Sequence, residues 1–189
     1  RNMRKIHILF ILGLLISCSQ ADNEQVFRNY IDAYYHHGFE DISEFLADTV
    51  TIADIDDYQK IYSKEEFRVF YQWDSVFKPD YKLISLTSTD SIVDVIQTVS
   101  SERLVFLGNN PLKTRKRVYF NNGLITRIEN QEYLNVDWEV WIARRDSLVK
   151  WVDLNHPELN GFIYDMTKEG AEDYLKAMEL FRCGGLSGL

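Results

Sequence analysis

Side chains suited to acid–base or binding chemistry are concentrated in two stretches of this sequence. An acidic turn, Asp54-Ile55-Asp56-Asp57, follows a run rich in β-branched residues. Further on, Lys113 to Leu134 contains two β-rich runs that meet at Asn121-Asn122-Gly123, a pattern that predicts a long antiparallel hairpin. The first run of this hairpin carries four of the chain's cations close together. General acid–base catalysis, metal binding and anion binding are therefore the chemistries to weigh.

The acidic turn offers carboxylates, which are ligands that Ca²⁺ prefers. It lacks the twelve-residue spacing and terminal Glu of a calcium loop, so we favour a solvated loop. His36 and His37 are adjacent, and adjacent residues of a helix project to different faces, which does not favour one shared metal ion. The sequence contains no G-x-S-x-G, P-loop, H-E-x-x-H or C-x-x-C motif. We expect no metal and no cofactor.

The cations of the hairpin divide between two faces because side chains of a strand alternate. Lys113, Arg115 and Arg117 share one face, and Lys116 lies on the other. A solvated strand is the interpretation we favour, and contact with an anion or an acidic partner is the alternative.

The N-terminal stretch has the pattern of a targeting signal. Met3-Arg4-Lys5 is a short positive region, and the apolar run Ile6 to Ile16 is too short to span a bilayer as a helix. Leu15-Ile16-Ser17-Cys18 resembles the bacterial lipobox, in which the cysteine becomes acylated. We therefore predict a signal peptide over residues 1–17.

Acylation of Cys18, typically with palmitate among its chains, would leave residues 18–23 as the lipidated N-terminus and a short tether. Several acyl chains give stable membrane attachment. Ser19 after the cysteine favours delivery to the outer membrane under enterobacterial sorting rules. The expected location is the cell envelope, with the periplasmic or surface face left open.

Composition indicates one folded domain and excludes one class of partner. The chain has 189 residues, of which 46% are hydrophobic and 14% aromatic, enough for a substantial core. Its 29 acidic against 21 basic residues give a net charge of −8. Nucleic-acid binding requires neutralisation of phosphates by cations, so we expect no nucleic-acid partner.

Periodicity predicts an α+β order for the mature chain. Phe27, Tyr30, Ile31 and Tyr34 fall on one face of a first helix beginning at Asp22, and a short second helix is predicted from Asp41 through Leu46. The remaining predicted elements are a strand over Thr49–Ile55, a capped helix from Ser63 to Pro79, strands over Tyr81–Thr89 and Ile92–Leu107, the hairpin, and two C-terminal helices around Trp138–Val152 and Thr167–Phe181.

This order resembles the nuclear transport factor 2-like superfamily, in its SnoaL-like branch. The resemblance rests on the aromatic first helix (FRNYIDAYY), the acidic turn with its capped helix (ADIDDYQKIYSKEEFRVFY) and the hairpin (RVYFNNGLITRIENQEY). It implies a cone-like curved antiparallel sheet wrapped around the N-terminal helix over residues 24–134. Two extra C-terminal helices over 135–183 and a tail over 184–189 would complete the chain.

The resemblance also implies a pocket between the first helix and the concave sheet. Ketosteroid-isomerase-like members use a tyrosine on that helix and an aspartate near the first strand, roles that Tyr30 or Tyr34 and Asp54 or Asp56 match. A second acid is missing, because the hairpin strand offers cations and a tyrosine there. The candidate ligand-binding residues are Tyr34, Tyr71, Arg115, Arg117 and Tyr119.

The function expected from these patterns is non-catalytic binding of a small apolar or aromatic ligand, or of a protein partner, by a lipid-anchored envelope domain. The first alternative is a SnoaL-like envelope enzyme, an isomerase, dehydratase or hydrolase with an Asp/Tyr pocket. The second alternative is a dimeric assembly module. Trp138 and Trp141 are interpreted as packing residues, with a carbohydrate platform as the alternative.

Overall fold

A computed structural model describes residues 22–185 as a curved sheet with helices on its concave side and at one end. The elements run α1 Asn23–His36, α2 Phe39–Ser43, β1 Leu46–Ala53, β2 Gln59–Ser63, α3 Lys64–Ser75, β3 Asp80–Ser88, β4 Ile92–Ser100, α4 Glu102–Phe106, β5 Leu112–Asn121, β6 Leu124–Tyr133, α5 Trp138–Asn155 and α6 Lys168–Leu180. A 3₁₀ turn, Pro157–Leu159, joins α5 and α6.

The six strands are ordered β2-β1-β6-β5-β4-β3. All neighbouring pairs are antiparallel except β1 and β6, which run parallel. The register shifts at several places, including the Arg115/Lys116 step of β5 opposite β6. Such bulges bend a strand and increase its twist, which fits the curvature that makes one face of this sheet concave. The α+β cone predicted from the sequence is confirmed.

Helix caps and one tight turn fix where α3, α1 and the β5–β6 hairpin begin or turn. Ser63 begins α3 with a reciprocal capping box, since its side chain accepts from the Glu66 N–H and Glu66 accepts from the Ser63 N–H at 2.8 Å. The hairpin turns at Asn122 and Gly123, both with positive φ, as the favoured two-residue turns require. At α1 the Asp22 cap forms, but Gln25 bonds Asn29 instead of completing a capping box.

Three elements differ from the predictions. The second helix lies at Phe39–Ser43, earlier than expected, because Phe39 and Ile42 are its buried residues. The predicted strand Ile92–Leu107 ends at Ser100, where Ser101 caps the short helix α4. The edge strand β2 was not predicted, because its burial pattern is exposed except near its end.

Two hydrophobic clusters stabilise the fold. One lies between α1 and the concave sheet and includes Phe27, Phe67 and Val118. The other joins α3 and α4 to the C-terminal helices and includes Phe77, Leu148 and Met178. Because α3 contributes to both clusters, it connects the cone to the helical extension.

Candidate functional site

A cavity of about 430 Å³ lies between α1, α3 and the concave face of β4, β5 and β6. Its volume falls within the range of small-molecule sites. Aromatic side chains such as Phe27, Tyr30 and Phe70 form much of its wall. Among the described residues, Met166 is the one residue after Tyr133 that lines the cavity. The C-terminal helices therefore leave the cone open as a pocket.

A tyrosine–carboxyl pair joins α1 to α3 at this cavity. Tyr34 Oη donates to Asp74 Oδ2 at 3.0 Å. Desolvation raises the pKa of Asp74, while nearby Arg103, the Tyr34 hydrogen bond and Lys116 act in the opposite direction. Burial and the Asp74 charge raise the pKa of Tyr34 well above its usual value. The pair is thus a tyrosine held protonated beside a carboxyl whose ionisation is disfavoured.

Lys116 projects from β5 into the same cavity. Burial lowers the pKa of its ammonium group, and the charges of Asp74 and Asp54 partly offset that shift. Lys116 makes no side-chain hydrogen bond or ion pair with any residue between 22 and 185. A desolvated amine without a direct partner is costly in a folded protein, which makes Lys116 a candidate functional group.

A second carboxyl site lies where β1 and β6 end. Tyr133 Oη donates to Asp54 Oδ2 at 2.9 Å, and the Ile55 N–H donates to Asp54 Oδ1 at 2.9 Å. Asn130 Nδ2 donates to Tyr133 Oη at 3.2 Å and lies 3.5 Å from Asp54 Oδ1. Burial and the Asp54 charge raise the pKa of Tyr133. These bonds fix the orientation of the Asp54 carboxylate.

Polar side chains on three neighbouring strands form the floor of the cavity. Gln97 pairs with Thr114 across β4 and β5, and Thr114 pairs with Tyr133 across β5 and β6. Gln97 and Thr114 are 2% and 4% exposed. Within the described part of the chain, the Thr114 hydroxyl and the Asn130 amide oxygen have no hydrogen-bond partner. Buried polar atoms are rarely left without a partner, so this floor is suited to a polar group of a ligand.

Arg103 completes the charged groups around the cavity. Its guanidinium lies 4.9 Å from the Trp73 ring centre, 5.4 Å from Phe77 and 5.8 Å from Trp141. Arg103 also lines the cavity and lowers the pKa of Asp74. Cation–π contacts of this kind hold an arginine against aromatic surface. Trp141 is therefore a packing residue, as its place in the second hydrophobic cluster also indicates.

Of the residues singled out from the sequence, Tyr30, Tyr34 and Asp54 line the cavity. Tyr71 lies behind Tyr34, with the two rings edge to face at 5.2 Å. Asp56 is exposed in the turn and does not line the cavity. Tyr34 and Asp54 belong to one pocket, but each is bonded to a different partner.

The structure places Arg115, Arg117 and Tyr119 on the outer face of β5, away from the cavity that they were expected to line. Arg117 Nε donates to Asp94 Oδ1 at 2.7 Å, and Tyr119 Oη donates to Glu129 Oε2 at 3.3 Å. Arg115 lies 3.5 Å from Glu132. Alternation of side chains along the strand keeps all three on the outer face, where two ion pairs and one hydrogen bond hold them. Pairing of two copies through this face stays a prediction.

Sequence reasoning missed Asp74, Lys116, Asn130 and Tyr133 as pocket residues. The buried face of β5 carries signals that would have found Lys116, because Val118 and Phe120 share its parity along the strand. Asp74 was detectable because it lies three residues before Phe77, on the aromatic face of its predicted helix. An acid on a face that is otherwise apolar is a candidate pocket residue. Asn130 and Tyr133 have no local signal, since only the register of β6 brings them to Asp54.

The described part of the chain contains no group of three or more His, Cys, Asp or Glu side chains arranged to hold a metal ion. Within residues 22–185, no helix has the length and apolar character needed to cross a membrane. The predicted signal peptide and the acylated Cys18 lie outside the described residues.

Comparison with known proteins identifies the fold. No protein-family model matches the chain, and no curated protein sequence matches it. A protein from Kribbella flavida superposes with a TM-score of 0.50 at 13% identity, over 65% of this chain and 94% of that one. A cystatin-fold protein from Novosphingobium aromaticivorans gives 0.50 at 12% identity, over 58% and 97% of the two chains.

A SnoaL-like protein of unknown function from Burkholderia thailandensis is a further neighbour, with a TM-score of 0.49 at 13% identity over 62% of this chain and 98% of that one. The element order, the curved sheet and the first helix on its concave face match the expected cone. The observed architecture is therefore the α+β cone that the resemblance to the nuclear transport factor 2-like superfamily implies. At these identities the likeness concerns the fold alone, so the pocket itself must indicate the function.

Proposed function

We propose that the cone cavity binds a small, largely apolar molecule that carries a ring and one polar group. The observation behind this proposal is the cavity of about 430 Å³, whose aromatic wall faces a floor of buried polar side chains. Thr114 and Asn130 have polar atoms on this floor without a partner among the described residues. A ligand hydroxyl would accept from the Thr114 hydroxyl or donate to the Asn130 amide oxygen, and rings would pack against Phe27 and Phe70.

Binding of 2-naphthol, followed by tryptophan fluorescence and calorimetry, tests this proposal. Ile128 lines the cavity, so Ile128→Trp is expected to fill it and abolish saturable binding. Ile61 is 64% exposed on the edge strand β2, and Ile61→Trp is the matched control that should bind like the unaltered protein. Equal loss in both variants, or no saturable binding by the unaltered protein, would contradict the proposal.

An enzyme of the SnoaL-like kind is the second candidate, because the pocket contains two carboxyls, each hydrogen-bonded to a tyrosine. Asp74 is bonded to Tyr34 and has a raised pKa, while Asp54 is held by Tyr133. Two carboxyls in different environments of one pocket can divide the roles of proton acceptor and proton donor. The supported reaction class is proton transfer at a carbon beside a carbonyl group, as in an isomerase or dehydratase.

Exchange of the α-protons of 2-tetralone for deuterium, followed by NMR, tests the enzyme candidate. Asp54→Asn or Asp74→Asn should lower the exchange rate by about 10²–10⁴-fold, the usual contribution of a general acid or base. Asp57 lies in the same acidic turn but does not line the main cavity, and Asp57→Asn is the control. Exchange that is no faster than in buffer would leave ligand binding as the function.

We further propose that the chain is anchored to the cell envelope by acylation of Cys18, with the outer membrane as destination. The lipobox-like Leu15-Ile16-Ser17-Cys18 supports this proposal. Cys18→Ser should move the protein from the membrane fraction to the soluble fraction, because it removes the acylated thiol. Unchanged membrane fractionation of Cys18→Ser would refute the anchor.

A further inference from the structure

Lys116 is a charged group of the cavity that neither ligand packing nor the carboxyl chemistry uses. It lies on β5 between Thr114 and Val118, which share its inward face. It stands opposite Asn130 on β6 and Val95 on β4. The amine therefore reaches the cavity from the middle of the sheet, where its position is fixed by strands on both sides.

We propose that Lys116 is a nucleophile that captures an aromatic aldehyde in the cone cavity as an imine. This inference rests on the proposed ligand-binding function and names the class of ligand. An aldehyde has the least bulk at its carbonyl carbon, which suits an amine enclosed between helices and sheet. The aromatic wall, which includes Tyr30, Phe67 and Trp73, favours a ring on the other side of that carbon.

The surroundings of Lys116 suit the first step of this reaction. An amine attacks a carbonyl only in its neutral form, and desolvation favours the neutral form of a lysine. Among residues 22–185, the amine makes no direct hydrogen bond or ion pair that would have to break before it reacts. Burial lowers the pKa of Lys116 against the opposing charges of Asp74 and Asp54, which agrees with a nucleophilic role.

Asp74 can supply the proton that the second step needs. The Lys116 nitrogen forms a bond to the aldehyde carbon, and one amine proton passes to the carbonyl oxygen to give a carbinolamine. The carbinolamine hydroxyl then takes a proton from the Asp74 carboxylic acid and leaves as water. The products are a protonated imine on Lys116, one water molecule and the Asp74 carboxylate, so atoms and charge balance.

The same carboxylates would stabilise the product. A protonated imine keeps one positive charge at the Lys116 nitrogen, within the electrostatic reach of Asp74 and Asp54. Opposite charges nearby favour the charged form of a group. Tyr34, which donates to Asp74, would hold the carboxylate in place after it gives up its proton.

Reductive trapping tests the proposal. The purified full chain is incubated with 2-naphthaldehyde and sodium cyanoborohydride, and the adduct is followed by intact mass and peptide mapping. We expect one adduct per chain at Lys116, formed about tenfold faster than at any other lysine, because a desolvated amine is more readily neutral and therefore nucleophilic. Lys116→Met should abolish this fast adduct.

Lys113→Met is the matched control, because Lys113 lies on the same strand three residues earlier and outside the cavity lining. It should leave the fast adduct unchanged. Lys116→Arg keeps a long side chain with a nitrogen base at its end but forms no imine, so it separates loss of the nucleophile from loss of the side chain. Circular dichroism checks that each variant is folded.

Adduct formation spread evenly over the lysines, or a fast adduct that survives Lys116→Met, would overturn the proposal. Binding of 2-naphthol, which has the same ring system without a carbonyl, distinguishes failure of the imine from failure of the proposed ligand binding. Saturable 2-naphthol binding without an adduct at Lys116 would overturn the imine and leave the proposed function standing. Absence of both would overturn the proposed function as well.

Discussion

At the scale of single residues, the buried carboxyl of Asp74 should make stability depend on pH. Its pKa is raised in the folded protein, mainly by desolvation. A raised folded pKa means that the carboxyl contributes stability below its unfolded pKa, and that this contribution is lost as pH rises through the folded pKa. The unaltered protein therefore carries a penalty at neutral pH that an amide at this position would not have.

The free energy of unfolding of Asp74→Asn, minus that of the unaltered protein, should therefore be larger at about pH 7 than at about pH 4. Chemical denaturation at the two pH values measures the difference. Asp153, an exposed residue of α5, provides the control Asp153→Asn, for which the difference should not change with pH. A constant difference for Asp74→Asn would show that Asp74 ionises normally in the folded chain.

Site residues were predictable from the sequence only where the apolar residues near them in the chain showed a clear helical or strand period. Tyr30 and Tyr34 follow from the helical spacing of apolar residues in α1. The alternation that separated Lys116 from Arg115 and Arg117 was correct, but the two arginines offered as ligand-binding candidates lie on the face away from the cavity. The apolar partners Val118 and Phe120 are 0% and 7% exposed, and their parity identifies the inward face.

At the scale of elements, the start of α3 depends on its capping box. The Ser63 side chain accepts from the Glu66 N–H at 3.3 Å. Replacement of an N-cap serine by alanine costs about 0.5–2 kcal/mol because a helix donor loses its partner. Ser63→Ala should lower the free energy of unfolding by that amount in chemical denaturation.

Ser147→Ala serves as the control for Ser63→Ala. Ser147 lies in the middle of α5, where its hydroxyl donates to the Ala143 carbonyl at 2.7 Å. That carbonyl also belongs to the helical hydrogen-bond pattern, so loss of the serine should cost little. Equal effects of the two substitutions would contradict a specific role for the cap.

Elements were predictable where a strong local signal was present. The capping box at Ser63 places the start of α3, and the Asn122-Gly123 turn places the β5–β6 hairpin, to within about two residues. Helix α3 ends at Ser75, earlier than the predicted stop at Pro79. Strand β2 has no such signal, because it is an exposed edge strand that forms by pairing with β1. Helix α4 was obscured because its apolar residues Leu104, Val105 and Phe106 continue the pattern of β4.

At the scale of the whole molecule, α3 makes the cone and the C-terminal helices parts of one cooperative structure. Phe67 packs in the cluster under the sheet, whereas Trp73 and Phe77 pack in the cluster with α5 and α6. The Phe77 and Tyr174 rings meet edge to face at 5.6 Å. Separation of the extension would expose this aromatic surface to water, so we expect a single unfolding transition.

Two substitutions test this cooperativity. Ile125 belongs to the first cluster and Leu148 to the second, and both are 0% exposed. Ile125→Ala and Leu148→Ala should each lower the free energy of unfolding by about 2–5 kcal/mol, the usual cost of truncating a buried aliphatic side chain. Leu154→Ala, at a position that is 74% exposed, is the control and should change stability little.

The distribution of tryptophans makes the outcome measurable. Trp73, Trp141 and Trp151 pack in or against the second cluster, so tryptophan fluorescence reports on the helical extension, whereas far-ultraviolet circular dichroism includes the sheet. Because α3 links the clusters, Ile125→Ala should shift the fluorescence transition as far as the dichroism transition. If the extension were an independent appendage, Ile125→Ala would leave the fluorescence transition unshifted, and the two transitions would separate.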